Sequence, residues 1–371
     1  MKEYKLFAPG PVNTTNTVKK AASIPDLCHR RKDFEDILSK TGNLLKECFN
    51  AVDNHIPLIL TGSGTAANES VYSSLCDKED KILLINNGEF GTRLKGMMDC
   101  YGISYIELAY EWGEYPNIDD ILREVKKEEA ITIVAMVYQE TSTGMINPVR
   151  QVGDICRENN LLYFVDAISA VGGEEVDVKN QKIDVLTGVP NKAIGGLPGA
   201  SFILLNEELL DRVNRNSNRN IFLNLKKFVD FRLNNNQTPN TPAVNIINAF
   251  YQSLIELKEE GVKKRLARYS ENAELIRNCI KTLNLEMLLK DSKVMSNTVT
   301  SVYLPMQINM ANFLDEMEEN GYVFYEGKGP LLKKNLFQIA NMGNLSSDDC
   351  KEMCDVLGEV LFTKFGYGIR K

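Results

Sequence analysis

The sequence predicts an α/β protein, a largely parallel sheet covered by helices and followed by a smaller α+β unit. Three observations predict it. Short apolar, β-prone runs alternate with helical periodicity over about 150 residues, the pattern of a helix-covered sheet. The turns after those runs are small, polar or hydroxyl-rich, at the sheet end where such folds bind ligands. Beyond residue 283 the alternation gives way to a second, shorter set of strands and helices.

Taken in order, residues 1–16 read as loop, because Ala8-Pro9-Gly10-Pro11 imposes an extended turn, and a short helix is expected at 16–22. Residues 26–31 are polar and irregular, and Phe34, Ile37, Leu38, Leu44, Leu45, Cys48 and Phe49 then recur at helical spacing across 34–52. The apolar run 57–60 is a strand that opens into Thr61-Gly62-Ser63-Gly64-Thr65, with a helix over 66–75. Such a helix start is an anion cradle, because free backbone N–H groups and the helix dipole face the ligand. Ser63 and Thr65 add hydroxyls to it. No Gly-Lys-Ser/Thr follows, so this is not a Walker loop. The absence of Gly-x-Gly-x-x-Gly after the first strand argues against a nucleotide-binding Rossmann protein.

The next strand, 81–85, leads into Asn86-Asn87-Gly88-Glu89-Phe90-Gly91, where Phe90 is either a stacking ring for a flat ligand or a packing aromatic. A strand at 104–108 and a helix at 119–129 precede the strongly β-prone run 131–137, which ends in Tyr138-Gln139-Glu140-Thr141-Ser142-Thr143-Gly144. After a helix at 149–158, the strand 161–165 ends in Asp166, which reads as a ligand-facing acid or as a turn acid. In 184–205 two apolar runs flank Asn191-Lys192 and a turn rich in Gly and Pro. A lysine between buried strands sits where charge is costly, which suits Schiff-base chemistry. Taken alone, the stretch favours an exposed loop lysine. Residues 206–215 are helical, 215–240 are rich in Asn and basic residues, and 243–283 form a long helical region joining two domains. Strands near 299–304 and 337–340 and helices near 310–320 and 346–361 complete the chain.

Composition narrows the function. A hydrophobic share of 43% and a charged share of 25% are those of an ordinary globular protein, and no apolar run approaches the ~20 residues of a membrane span. The N-terminal stretch lacks the apolar core of a signal peptide, so a cytoplasmic protein is expected. A net charge of −7 disfavours general nucleic-acid binding. Eight cysteines without a CxxC pair, among them Cys28, Cys76, Cys100, Cys156 and Cys354, read as small buried hydrophobes in a reducing compartment. Two histidines exclude a multi-histidine metal site, no metal is expected, and acid–base chemistry falls to Lys, Asp, Glu or Tyr.

The ordered set Pro9-Gly10-Pro11, Gly62-Ser63-Gly64-Thr65, Asn87-Gly88-Glu89-Phe90-Gly91, Glu140-Thr141-Ser142-Thr143-Gly144, Asp166-Ala167-Ile168-Ser169, Asn191-Lys192, Gly199 and Asn341-Met342-Gly343 resembles the class V, fold-type I aminotransferases dependent on pyridoxal phosphate. Within them it is most similar to the 2-aminoethylphosphonate–pyruvate transaminase group. The resemblance implies a mostly parallel seven-stranded sheet. It implies an N-terminal segment (1–15) associated with the small domain, a large cofactor domain (16–262) and a small α+β domain (263–371). Lys192 would carry the cofactor as a Schiff base and shuttle a proton, Asp166 would pair with the pyridinium nitrogen, and Phe90 would stack on the ring. Ser63, Gly64 and Thr65 would hold the phosphate, Thr143 would contact the cofactor near its ring oxygen or Asp166, and Thr241 would reach the phosphate of a neighbouring subunit. A homodimer with shared active sites follows, acting on a small amino donor and a 2-oxo acid or aldehyde acceptor.

In such transaminases an arginine within a Phe-Arg-Ile segment grips the substrate's acidic group, whereas this chain has Phe337-Gln338-Ile339. Gln338 supplies no charged bidentate clamp. Arg30, Lys333 or Lys334 takes over, with Arg30 preferred, or the substrate lacks the usual acid, or the reaction has changed. Transfer from 2-aminoethylphosphonate to pyruvate, or its reverse, is the expected reaction. The alternatives are a serine/alanine–glyoxylate or –pyruvate type and a diverged enzyme acting on another small amine.

Overall fold

The computed structural model describes residues 2–51, 54–216 and 219–368; Val52, expected to end a helix, lies outside them, as do Met1 and residues 369–371 at the ends of the expected domains. A seven-stranded sheet runs in the order His55–Thr61, Ala200–Asn206, Val185–Gly188, Leu162–Asp166, Ile131–Val137, Lys81–Asn86, Ser104–Ala109. Ala200–Asn206 is antiparallel to both neighbours, and the remaining pairings are parallel. Helices cover both faces, so the strands are apolar on both sides rather than alternating with polar residues. Leu83 and Ile85 enter one core, while Ile82 and Leu84 enter the other. In the antiparallel strand Phe202 and Leu204 divide from Ile203 and Leu205 in the same way.

A second, four-stranded antiparallel sheet contains Glu286–Met287, Val299–Tyr303, Leu336–Ala340 and Tyr325–Glu326. Its core gathers Phe313, Phe324 and Phe337 with residues of the helices Val262–Thr282 and Ser347–Phe365. The N-terminal segment joins this unit. Lys5–Leu6 pairs in parallel with Tyr322–Val323, and Phe7 packs 6.0 Å from the Tyr322 ring and 6.4 Å from that of Phe324.

Several elements differ from expectation. Residues 5–6 form a short strand rather than loop. Glu89–Tyr101 is a helix although the stretch reads as a turn, and Leu225–Asn235 is a helix inside the Asn-rich region. In the latter, Asn224 caps the start through the Lys227 N–H and Asn236 closes the end in the left-handed region, so the asparagines are caps. The long helical region is two helices, Val244–Glu260 and Val262–Thr282, parted at Gly261 with φ +86°. Cys28 and Cys100 are exposed rather than buried, since Cys28 sits in an irregular segment and Cys100 on the outer face of its helix.

Candidate active site

The site forms where strands of the large sheet end and the second unit leans over them. The strand His55–Thr61 runs into Gly62, whose φ of +146° favours glycine, and then into the helix Gly64–Leu75. A Cβ on Gly64 would come within 2.4 Å of Ile168 Cδ1, so the helix start lies against the turn after Asp166. Ser63 occupies the N-cap without spending its hydroxyl on the helix, leaving that group and the first-turn N–H groups available to an anion.

Asp166 is the last residue of its strand and is buried. Asn68, on the helix behind the cradle, donates to one carboxylate oxygen at 2.7 Å, and the Ile168 N–H donates to the other at 3.0 Å. Thr187 in the neighbouring strand donates to Asn68 Oδ1 at 2.6 Å and so fixes which end of the amide faces the acid. Burial pushes the Asp166 carboxyl above its usual range; the Ile168 N–H, Asn68, Lys192 and Arg93 pull it back. A buried acid held this way needs a cationic or N–H-bearing partner.

Lys192 lies in the loop between Val185–Gly188 and Ala200–Asn206. Gly195 N–H closes a turn on the Lys192 carbonyl at 2.9 Å, and Gly196 N–H closes another on Pro190 at 2.7 Å. Tyr269 and Arg265, from the helix Val262–Thr282, hold the following carbonyls of Ala193 and Ile194. The lysine stem passes Gly10, where a Cβ would sit 3.3 Å from Lys192 Cγ, and Nζ donates to Ser169 Oγ at 3.0 Å. Desolvation lowers the Lys192 pKa to about 8, with Lys328 and Arg93 pushing the same way and Asp166 and Glu140 opposing. Near neutral pH a useful fraction is the free amine, the form that attacks a carbonyl.

The Phe90 ring lies beside Lys192, with its centroid 5.6 Å from Nζ. Glu140 sets it there. This buried carboxylate accepts from the Phe90 and Gly91 N–H groups, each at 3.2 Å, and from Ser142. It thereby anchors the start of the helix Glu89–Tyr101 with a negative charge. Gly88 leaves room for it, because a Cβ there would fall 2.3 Å from Glu140 Cδ.

Other expected site residues are placed differently. Thr143 is buried, and its hydroxyl donates to the Glu140 carbonyl at 3.2 Å rather than to Asp166. The hydroxyl that reaches the lysine's partner belongs to Thr141, which hydrogen-bonds Ser169. Gln338 is buried and spends its amide N–H groups on the Thr141 carbonyl at 2.6 Å and Ser301 Oγ at 3.0 Å. Arg30 holds Gln237 and the carbonyls of Thr238 and Pro239 and stacks on Phe231, so within its own protomer it organises the loop ahead of Thr241. Thr241 is exposed, two residues before Ala243, whose N–H donates to Thr61 Oγ1 at 2.9 Å beside the cradle. Asn68 and Thr187 carry no local signal in the sequence, and Glu140 and Ser169 lie inside the motifs above without a role of their own.

A lysine, a buried acid, an aromatic plate and a helix-start cradle on this sheet define a fold-type I pyridoxal-phosphate enzyme. The aminotransferase class-V family model matches residues 15–322, and the chain belongs to that family of pyridoxal-phosphate-dependent aminotransferases. The chain is 32% identical over 360 residues to a bifunctional phosphonoacetaldehyde hydrolase/aminoethylphosphonate transaminase of Clostridioides difficile, covering 96% of itself and 56% of that longer protein. It is 31% identical over 361 residues to a 2-aminoethylphosphonate–pyruvate transaminase of Bacillus cytotoxicus, covering 96% and 97% of the two chains. Among solved structures, the ureidoglycine–glyoxylate aminotransferase of Bacillus subtilis superposes with a TM-score of 0.92 at 29% identity, over 100% of this chain and 95% of that one. Among the described residues, no helix is long and apolar enough to cross a membrane.

Proposed function

We propose that this chain transfers an amino group from 2-aminoethylphosphonate to pyruvate, giving phosphonoacetaldehyde and L-alanine, or runs the reverse. The observation that carries the reading is Lys192, a desolvated amine with a pKa near 8 set between the Phe90 ring and the buried Asp166. Near-full-length similarity to transaminases named for these substrates supports the choice of donor.

The residues present fit pyridoxal phosphate. The cradle at Ser63, Gly64 and Thr65 suits its phosphate, Phe90 its ring face, Asp166 its ring nitrogen and Lys192 its aldehyde. When bound, the cofactor supplies an electron-withdrawing ring that spreads the charge left on the substrate carbon after proton loss. The protein's residues supply the rest. Asn68 and the Ile168 N–H favour the ionised form of Asp166 against its burial and aim the carboxyl group. Lys192 anchors the cofactor and, once freed, moves the proton at the amine-bearing carbon, with a pKa suited to acid–base work near neutrality. Ser169, itself held by Thr141, steers Nζ.

The working form in this reading is a cytoplasmic homodimer in which Thr241 completes the partner's cradle. The exposed apolar side chains Ile221 and Leu233, 78% and 58% accessible, lie near that loop in sequence and support a covered face. Sedimentation should give a dimer; a monomer at catalytic concentrations overturns this part. Adding 2-aminoethylphosphonate alone to the holoenzyme should bleach the cofactor's visible absorbance, and pyruvate should restore it. Bleaching by serine or alanine with none by the phosphonate would reject the donor.

A further inference from the structure

We infer that Lys328, with Arg93 beside the same Phe90 ring, receives the acidic group of the amino donor, and that this receptor favours a tetrahedral dianion over a carboxylate. The inference rests on the transaminase reading above.

Three cations surround one aromatic ring. Relative to the Phe90 centroid, Lys192 Nζ lies at 5.6 Å, Lys328 Nζ at 5.1 Å and Arg93 Cζ at 4.7 Å. The buried acids nearby direct their oxygens to other donors and form no ion pair with Lys328 or Arg93 among the described residues. Glu140 is taken up by the Phe90 and Gly91 N–H groups and Ser142, and Asp166 by Asn68 and Ile168. Among the described residues Arg93 pairs only with Glu89, one helical turn back on its own helix, at 3.9 Å. Lys328 has no ion pair among the described residues. A lysine with no such ion pair and an arginine with only a long one are available to receive an anionic ligand.

The mounting of Lys328 is rigid. Gly327 N–H donates to the Leu336 carbonyl at 2.6 Å, and the Lys328 carbonyl accepts from Leu331 at 2.9 Å. Gly329, at φ +48°, lies so close to Trp112 that a Cβ would fall 2.6 Å from its Cη2. The neighbouring strand Tyr325–Glu326 pairs Tyr325 directly with Gln338. Lys328 therefore follows the edge strand that flanks position 338, and its charge replaces one missing there.

Other cations are committed elsewhere. Lys333 and Lys334 line a separate groove with Tyr303, Met306 and Tyr367. Arg30 is held by the 237–239 loop. Two separate cations, one from each unit of the molecule, suit a group with three oxygens and two charges. A flat carboxylate is better served by one planar guanidinium fork.

An isosteric donor series tests this. 2-Aminoethylphosphonate, taurine and β-alanine share the amine and its spacing and differ in the acid. The wild-type holoenzyme should show the lowest KM for the phosphonate. In Lys328→Gln that KM should rise about 10- to 100-fold with little change in kcat, as expected for a lost charge-assisted contact. Lys328→Arg should recover most of the loss, and Arg93→Gln should show a smaller rise. Unchanged KM values in both neutral variants overturn the inference while leaving the transaminase intact. Should the wild type convert none of the three donors, the substrate reading falls, and calorimetry with ethylphosphonate decides the receptor. Binding weakened at least tenfold by Lys328→Gln or Arg93→Gln upholds it, and equal or absent binding overturns it.

Discussion

The two ends of the site are built on different physics. At the cofactor end, Asp166, Asn68 and Thr187 are all buried and hydrogen-bonded in series on two adjacent strands and the helix over them. At the substrate end, Lys328 and Arg93 are partly or largely exposed, come from the two different units and lie against one aromatic ring rather than in a hydrogen-bond network. Buried polar networks tolerate little change, because each lost partner leaves an unpaired group in a low dielectric. Exposed charges can be exchanged at small cost in stability. One scaffold can therefore keep its cofactor chemistry while its donor changes.

Breaking the cofactor end gives the largest effects. Lys192→Ala should abolish turnover and leave no borohydride-reducible chromophore after reconstitution; a yellow, reducible variant would remove Lys192 from the reaction. Asp166→Asn should lower kcat by about 10²- to 10⁴-fold, since an amide no longer keeps the ring nitrogen protonated. A kcat within threefold of wild type would mean that the acid does not face the ring. Asn68→Ala should destabilise the protein by about 2 kcal/mol, as the Asp166 oxygen and the Thr187 hydroxyl both lose a buried partner. Urea unfolding of the apoprotein reads this directly, and an unchanged midpoint would show that water replaces the amide.

Legibility in the sequence follows the same division. Ser63–Thr65, Asp166 and Lys192 sit at strand ends or in glycine-rich turns, and Phe90 lies between two glycines, so each carries a local signal. The groups that orient them do not. Asn68 meets Asp166 across 98 positions and Thr187 meets Asn68 across 119, contacts that exist only once the parallel sheet has formed. The helix Glu89–Tyr101 has no local start signal, because the charge anchoring its start, Glu140, comes from another strand's end. Thr141 and Thr143 are two residues apart in one turn, and only the closure of Gly144 N–H on Glu140 decides which hydroxyl points at Ser169. Lys328 reads as one of several lysines near the C-terminal strands; Trp112 and the Leu336 carbonyl set it apart from Lys333 and Lys334.

Electrostatics link the two ends and make the comparison sharper. Lys192 is held near pKa 8 by desolvation first, and by the positive charges of Lys328 and Arg93 against the opposing Asp166 and Glu140. The neutral amine is the reactive form, so its fraction rises as pH climbs through about 8. Capture of pyridoxal phosphate by the apoenzyme should accelerate about tenfold between pH 7 and 9. In Lys328→Gln, removing a neighbouring positive charge should move the midpoint of that profile upward. A flat profile in the wild type would show that the amine is not the titrating group.

The smallest effect comes from converting one end toward the other. Gln338 gives both amide hydrogens to the protein, to the Thr141 carbonyl and Ser301 Oγ, so only its oxygen can face a ligand, and that oxygen repels an anion. Gln338→Arg keeps donors for both acceptors and adds a charge. It also overfills a buried position, which costs about 1–3 kcal/mol of stability. If the new guanidinium still faces the substrate, KM for a carboxylate partner such as pyruvate should fall roughly three- to tenfold. KM for the phosphonate donor should move less, because Lys328 and Arg93 already supply its charge. The KM ratio between the two substrates is the informative measurement, since any global loosening of the site shifts both alike. An unchanged ratio would place residue 338 outside the substrate's reach and leave the acid receptor to the two exposed cations alone.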